Sequence, residues 1–410
     1  MKTSPSETPI DAQVPVAAIA LLALAAFASG ISLRMTDPLL PFLATEFGIP
    51  VGQAAQVITV FSIAYGLSQL FFGPLGDRHG KYLVIAWACL ACALSAALCA
   101  WAPGFETLLV GRLFSGMTAA AVIPLAMAWI GDTVPYARRQ PVIARFLIGQ
   151  IMGLAAGVLV GGYAADHLDR HAPFAALAAL FAVVGLALHA LNRRLPAAAR
   201  ATRVPAAGPV LRRMAAEFAA VLRQPWARVV LLTVFLEGAS LYGAFAFIAT
   251  HLHQRFGLTL THAGAMVMLF GMGGLLFALV SRWLVGRLGE AGMARWGGAI
   301  MATGLLAVAA APAWGWAAPA CFATGLGFYM LHNTLQTNAT QMAPERRGAA
   351  VAAFASCFFL GQSVGVALGG LLVAWVGTSV LIAAGGLGVL AVGLGFARLR
   401  AGGGHAPSHA

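Results

Sequence analysis

Charge is what this sequence has least of. Asp, Glu, Lys and Arg together make up 9% of the 410 residues, against roughly 25% in an ordinary soluble domain, while 60% are hydrophobic. A chain so short of polar side chains cannot keep a sizeable domain in water. Lysine is nearly missing, confined to Lys2 and Lys81. Acids are scarce too, 13 against 25 basic residues, and the net charge of +12 is spread over connections between apolar stretches. That spread speaks against nucleic acid as a partner and for membrane topology. The five cysteines (Cys89, Cys92, Cys99, Cys321 and Cys357) lie inside apolar stretches at spacings that suit neither zinc nor a disulfide framework, and are read as free thiols. No nucleophile–base pair, phosphate loop or metal cluster stands at useful spacing, so no enzyme, cofactor or metal is expected.

What is present is one long apolar run after another. Crossing ~30 Å of hydrocarbon takes about 20 apolar residues. Such runs are drawn at 14–34, 51–74, 82–101, 106–131, 141–164 and 173–191, and again at 226–250, 262–285, 295–313, 314–341, 347–374 and 377–397. The first runs into Arg34 and Asp37 without a small-residue cleavage site, so it is read as a retained helix. The expected architecture is an all-α polytopic membrane protein of twelve helices. It divides into a six-helix bundle at 1–191, a basic cytoplasmic linker at 192–225, a second six-helix bundle at 226–398 and a disordered cytoplasmic tail at 399–410. Arg and Lys crowd alternate connections (Lys2, Arg78, Lys81, Arg138, Arg139, the linker, Arg287, Arg346, Arg347, Arg400), with little beyond Arg170 and Arg255 opposite. The positive-inside rule then puts both termini in the cytoplasm. Abundant Ala and Gly, with Arg in place of Lys, fit a GC-rich bacterial genome, and the expected location is a bacterial inner membrane.

The two sets of helices repeat one another. Gly153, Gly157, Gly161 and Gly162 return 208 residues later as Gly361, Gly365, Gly369 and Gly370, and Arg138-Arg139 returns as Arg346-Arg347. Such small-residue series let helices pack closely. Two parallel copies imply a solute site between them at mid-membrane.

Within the spans a few polar groups stand out, because a charge at the bilayer centre costs at least ~2.5–3.5 kcal/mol. Glu237 is an acid about a dozen residues into the seventh helix, where it needs a partner or a proton. The other reading is a permanently protonated acid bonded to a neighbouring helix. Arg34 and Asp37 are three apart on one face of the first helix, which fits either a solute site or a local ion pair. Arg112 must meet a cavity or a partner, or snorkel to the surface. The tenth helix carries His332, Asn333, Thr334, Gln336, Thr337, Asn338 and Thr340, too polar for lipid, and is expected to line the cavity or to form an interhelical network. Tyr65, Phe72, Tyr242 and Phe245 are candidates for an apolar wall.

The segment Gly73-Pro74-Leu75-Gly76-Asp77-Arg78-His79-Gly80-Lys81 resembles the G-x-x-x-D-R-x-G-R/K loop of the major facilitator superfamily, in a layout that agrees along the whole chain. The resemblance implies that Gly73, Asp77, Arg78, Gly80 and Lys81 form a cytoplasmic gate, with Asp132 as a partner for Arg78. The matching loop of the second half, Gly286-Arg287-Leu288-Gly289, has no acid where Asp77 stands, so an asymmetric latch is expected. Arg34 through Pro41, Arg112 and the glycines of the fifth helix resemble the twelve-helix drug/proton antiporter branch, although Val158 replaces the proline of its glycine motif. The function this implies is proton-coupled efflux of a small amphipathic or cationic compound, with protons and the lipid bilayer as partners and a monomer as the working form. Two alternatives stand beside it. One is an importer or facilitator of an organic anion or sugar, with Arg34, Arg112 and Arg145 clamping a carboxylate. The other is a non-transporting membrane sensor or assembly factor.

Overall fold

The computed structural model describes residues 16–200, 202 and 210–402, and every regular element among them is helical. The first half comprises α1 (Val16–Arg34), α2 (Val51–His79), α3 (Lys81–Ala100), α4 (Phe105–Thr133), α5 (Tyr136–His167) and α6 (His171–Asn192). The second half begins with α7 (Pro225–Phe256) and α10 is Ala317–Gln341; between them lies Leu260–Ala310, and after them Arg347–Gly402. Each of these last two stretches is a pair of helices. Gly289 (φ 60°, ψ 179°) and Gly377 (φ 76°, ψ 163°) hold backbone that is essentially closed to residues with a Cβ. The chain reverses there within one residue, giving α8 (260–288) and α9 (290–310), then α11 (347–376) and α12 (378–402). The fold is thus two pseudo-symmetric six-helix bundles in an all-α membrane protein. Exposed Trp101, Trp314, Trp316 and Trp375 ring the end away from the linker, as aromatic side chains do at a membrane interface.

Helix ends differ from the sequence reading where polar residues prolong a helix beyond the hydrocarbon. α2 continues through Pro74 to His79, and α9 starts at 290 rather than 295, directly after Gly289. Part of the linker is ordered, with a 3₁₀ turn at Ala197–Arg200 and an amphipathic helix at Val210–Arg223. α12 runs to Gly402, so the first residues of the expected tail are helical, whereas 403–410 fall outside the described residues.

Within each half the spaced glycines of the repeat set the closest packing. A Cβ at Gly153 would lie 2.2 Å from the Phe27 carbonyl oxygen of α1, and one at Gly161 would lie 2.0 Å from that of Met35. Gly157 faces Ile31. In the second half Gly361, Gly365 and Gly369 meet Phe235, Ala239 and Gly243 of α7 in the same order. Between the halves, α2 lies along α11 and α5 along α8. These seams are tightest at the far end, away from the linker. There Gly52 meets Gly370, and Gly162 meets Leu260, two contacts related by the 208-residue repeat. At mid-length Gly66 still touches Phe359, but Gly73, Gly286 and Gly348, near the linker end, have nothing within 4 Å. The cleft between the bundles therefore opens toward the linker.

Candidate functional site

Breaks in helices that cross the centre put the polar groups there. α1 stops at Arg34 and turns through residues 35–39 before a short helix, Leu40–Phe47, because Pro38 and Pro41 cannot donate to a continued ladder. α7 breaks at the equivalent place, Ala246–Phe247. Arg34 and Tyr242 are repeat mates, and the structure stacks them: the Arg34 guanidinium carbon lies 3.8 Å from the Tyr242 ring centre and 5.6 Å from that of Phe245. Stacking of a buried guanidinium on an aromatic face is favourable by about 2 kcal/mol.

Arg34 is 5% exposed and Asp37 1%. They form the local ion pair at a loose 3.5 Å (Nη1 to Oδ2), while Asp37 Oδ1 is buried with no partner. Arg34 Nη2 donates to Gln362 Oε1 of α11 at 3.2 Å, and Gln362 Nε2 donates to Ser62 Oγ of α2 at 2.7 Å. This chain stitches the two halves at mid-depth, where Tyr65 also packs on Phe359, ring centres 4.2 Å apart. Gln362 and Ser62 escaped the sequence reading. An amide inside the glycine series of α11 was the available signal.

Glu237 has no exposed surface, and its Oε2 lies 2.8 Å from Nδ1 of His332 across the α7–α10 interface. Its other oxygen, Oε1, is buried without a partner. The pair can hold one proton or two: imidazole N–H donates to a carboxylate, or a protonated acid donates to the imidazole nitrogen. His332 is stacked on Phe328 at 4.9 Å and sits 4.7 Å from Phe358 and 5.3 Å from Phe354. Phe328 and Phe358 in turn meet Tyr242 edge-on. The second half thus supplies an aromatic wall, to which Phe72, two turns beyond Tyr65 toward the linker, does not belong.

Arg112 neither snorkels nor faces the cleft. It is 1% exposed and donates from Nε to the Val57 carbonyl at 3.2 Å and from Nη1 to the Ser32 carbonyl at 3.1 Å, with Phe61 under the guanidinium. Ser32 belongs to the last turn of α1, whose carbonyls lose their helical donors when the helix stops, and a cation is well placed there. Its Nη2 is buried and unpartnered. Arg145 is exposed on α5, so Arg34, Arg112 and Arg145 are not presented to one anion.

Along α10, Asn333 is half-buried and Gln336 exposed, one turn from His332 toward the linker end. Thr334, Thr337 and Thr340 bond to carbonyls of their own helix. Asn338 is buried and leaves the cleft altogether: its amide donates to Glu290 at 3.0 Å and accepts from Trp226. At the linker end of the first half, Lys81 Nζ meets Asp132 at 2.7 Å and Asp77 at 2.9 Å. The structure therefore places Lys81 against Asp132, where the resemblance implied Arg78, whose side chain is exposed. Among the described residues no group of three His, Cys, Asp or Glu side chains could hold a metal ion.

A family model described as Major Facilitator Superfamily matches residues 22–366. The chain is 26% identical over 267 residues to the MFS-type transporter YceJ of Bacillus subtilis, covering 64% of this chain and 65% of that protein. It is 28% identical over 156 residues to the multidrug export protein EmrB of Escherichia coli K12, covering 38% of this chain and 30% of EmrB. Over 142 residues it is 28% identical to the fatty acid resistance protein FarB of Neisseria gonorrhoeae, covering 35% and 28%. These matches span less than two thirds of the relatives' own length. Among solved structures, the nucleoside transporter NupG has a TM-score of 0.74 at 15% identity, over 93% of this chain and 99% of that one. A POT family transporter with a bound peptide conjugate has a TM-score of 0.76 at 14% identity, over 93% and 96%. At such identities the likeness is one of fold alone. With twelve helices in two related bundles and a family model that matches most of its length, this chain belongs to the Major Facilitator Superfamily.

Proposed function

We propose that this protein exports a small amphipathic or cationic compound in exchange for protons, by rocking its two bundles about the Arg34–Tyr242 stack. The observation that carries this reading is Glu237, a carboxylate with no exposed surface, bonded through one oxygen to His332 and with the other oxygen unpartnered beside aromatic rings. A proton or a solute cation can satisfy that oxygen, and the two exclude one another, which is the requirement of an antiporter. Asp37 offers a second such oxygen across the seam. Stacking rings favour an aromatic or lipophilic solute body, and a cation gains further over ring faces. Relatives named for multidrug export and for fatty acid resistance support the outward direction. The excess of Arg on the linker side supports a bacterial inner-membrane orientation with that side cytoplasmic, so the cleft described above faces the cytoplasm. The protein works as a monomer, since each cleft is complete within one chain.

The test is solute-driven proton movement in proteoliposomes holding a pH dye, with cationic dyes and organic acids as probes. A cationic compound moving opposite to protons, with the response reduced to background in Glu237→Gln, is the expected result. A response to anions only, or an unaffected Glu237→Gln protein, would overturn it.

A further inference from the structure

The two far-end seams that close the cleft are related by the repeat, yet they are not chemically equal. Where α5 meets α8, Gly162 allows the backbones to touch at Leu260, and one helical turn later Asp166 reaches across. Its Oδ1 accepts from the Leu260 N–H at 3.0 Å and its Oδ2 from the Thr261 N–H at 2.6 Å. These are the first two donors of α8. The helix's own cap, Thr259, does not use them, because its hydroxyl accepts from the His262 N–H at 3.2 Å. Asp166 therefore completes the N-terminus of a helix that belongs to the other bundle. A carboxylate on free N–H groups at a helix start combines charge-assisted bonding with the helix dipole. Where α2 meets α11, Gly52 and Gly370 make the related backbone contact, but the repeat mate of Asp166 is Ala374, which has no acceptor to offer.

We infer that Asp166 is a one-sided latch of the far gate: made in the state with the far end closed, and broken each time the bundles part there. Beside it the Thr261 hydroxyl donates to the Gly162 carbonyl only at a long 3.5 Å, and the Gly162–Leu260 and Gly52–Gly370 contacts are backbone van der Waals contact, which weakens gradually as helices slide. Two bonds to one carboxylate are lost together over a short displacement, so the latch sets how much of the population has the far end closed. It does so whatever solute or ion the central site takes.

The test is the distance between the far ends of the two bundles. Spin labels are placed at Trp101→Cys and Trp314→Cys, exposed residues of the first and second half, in full-length protein whose five native cysteines are changed to alanine. Asp166→Ala is expected to raise the ratio of far-open to far-closed molecules about tenfold, an equilibrium change of ~1.4 kcal/mol. Asp166→Asn, which keeps one accepting oxygen, is expected to shift it less. Asp169→Ala is the control: Asp169 accepts from the Ala172 N–H within its own bundle, so its loss removes a nearby carboxylate without touching the seam. Distance distributions unchanged in both Asp166 variants, or shifted as much by Asp169→Ala, would overturn the latch. The measurement needs neither solute nor a proton gradient, so its failure is separate from failure of the antiport reading.

Discussion

The two halves of this protein share a backbone and differ in almost everything chemical that the backbone carries. Gly153 and Gly361 both press an α-helix carbonyl of their partner helix, and α1 and α7 break at the same place in the repeat. On that common frame the first half places Arg34, Asp37 and Arg112 at the centre. The second half places Tyr242, Phe245 and Ala320 at the same repeat positions, and builds aromatic rings around Glu237 and His332 instead. The linker ends diverge in sign. The residue after the turn glycine Gly80 is Lys81, held by Asp77 and Asp132; the residue after Gly289 is Glu290, held by Arg400 Nε at 2.8 Å and by Asn338. Helix packing tolerates only small residues at fixed spacing, so it keeps the repeat, whereas a gate and a binding site need complementary faces and so lose it.

The largest effect expected from this comparison is on packing. Gly153→Leu and Gly361→Leu should each prevent accumulation of monodisperse protein, since their Cβ atoms would lie 2.2 and 2.0 Å from a carbonyl oxygen and overpacking of that kind costs more than ~3 kcal/mol. Gly73→Ala, in open space, should leave the melting temperature unchanged. Unequal losses at the two paired glycines would break the claim of equivalent packing. Next is Arg112→Leu, which takes the donor from the Ser32 carbonyl at the end of α1 and should lower stability by about 1–3 kcal/mol in thermal melts, whereas Ala320→Gly, at the repeat mate that caps no carbonyl, should cost about 1 kcal/mol. Smaller is the linker-end pair: Glu290→Ala should cost about 1 kcal/mol because the buried Asn338 amide would lose one of its two acceptors, keeping the Thr334 carbonyl. Lys81→Ala, whose acidic partners are 40% and 43% exposed, should cost under about 1 kcal/mol. Smallest is Tyr242→Phe, which keeps a ring under Arg34 and should leave stability within about 0.5 kcal/mol, whereas Tyr242→Leu removes the stacking.

Most of the fold was legible because lipid leaves the backbone few choices. Each apolar run had to become a helix, and departures came at the ends, where α2 and α12 run on into polar residues that water can satisfy. The central site was legible in its residues but not in its pairings. Glu237 and His332 were each visible as costly polar groups, and their contact joins helices far apart in sequence. Arg112 was visible as a buried cation, but the free carbonyl it caps exists only because α1 ends at Arg34. For Asn338 the sequence leaves open a cavity wall or an interhelical network, and its bond to Glu290 puts it in the network. Asp166 drew no notice, being an acid at the mouth of a span like any surface residue.

Composition and spacing alone determined that this is a twelve-helix, two-part membrane protein, since the lack of charge excludes water as the solvent for most of the chain and the 208-residue repeat fixes the halves. Only the tertiary structure decided which buried groups meet and which end of the cleft is shut. Those outcomes depend on contacts between residues remote in sequence, whose strength rests on distances of a few ångströms that no local pattern encodes.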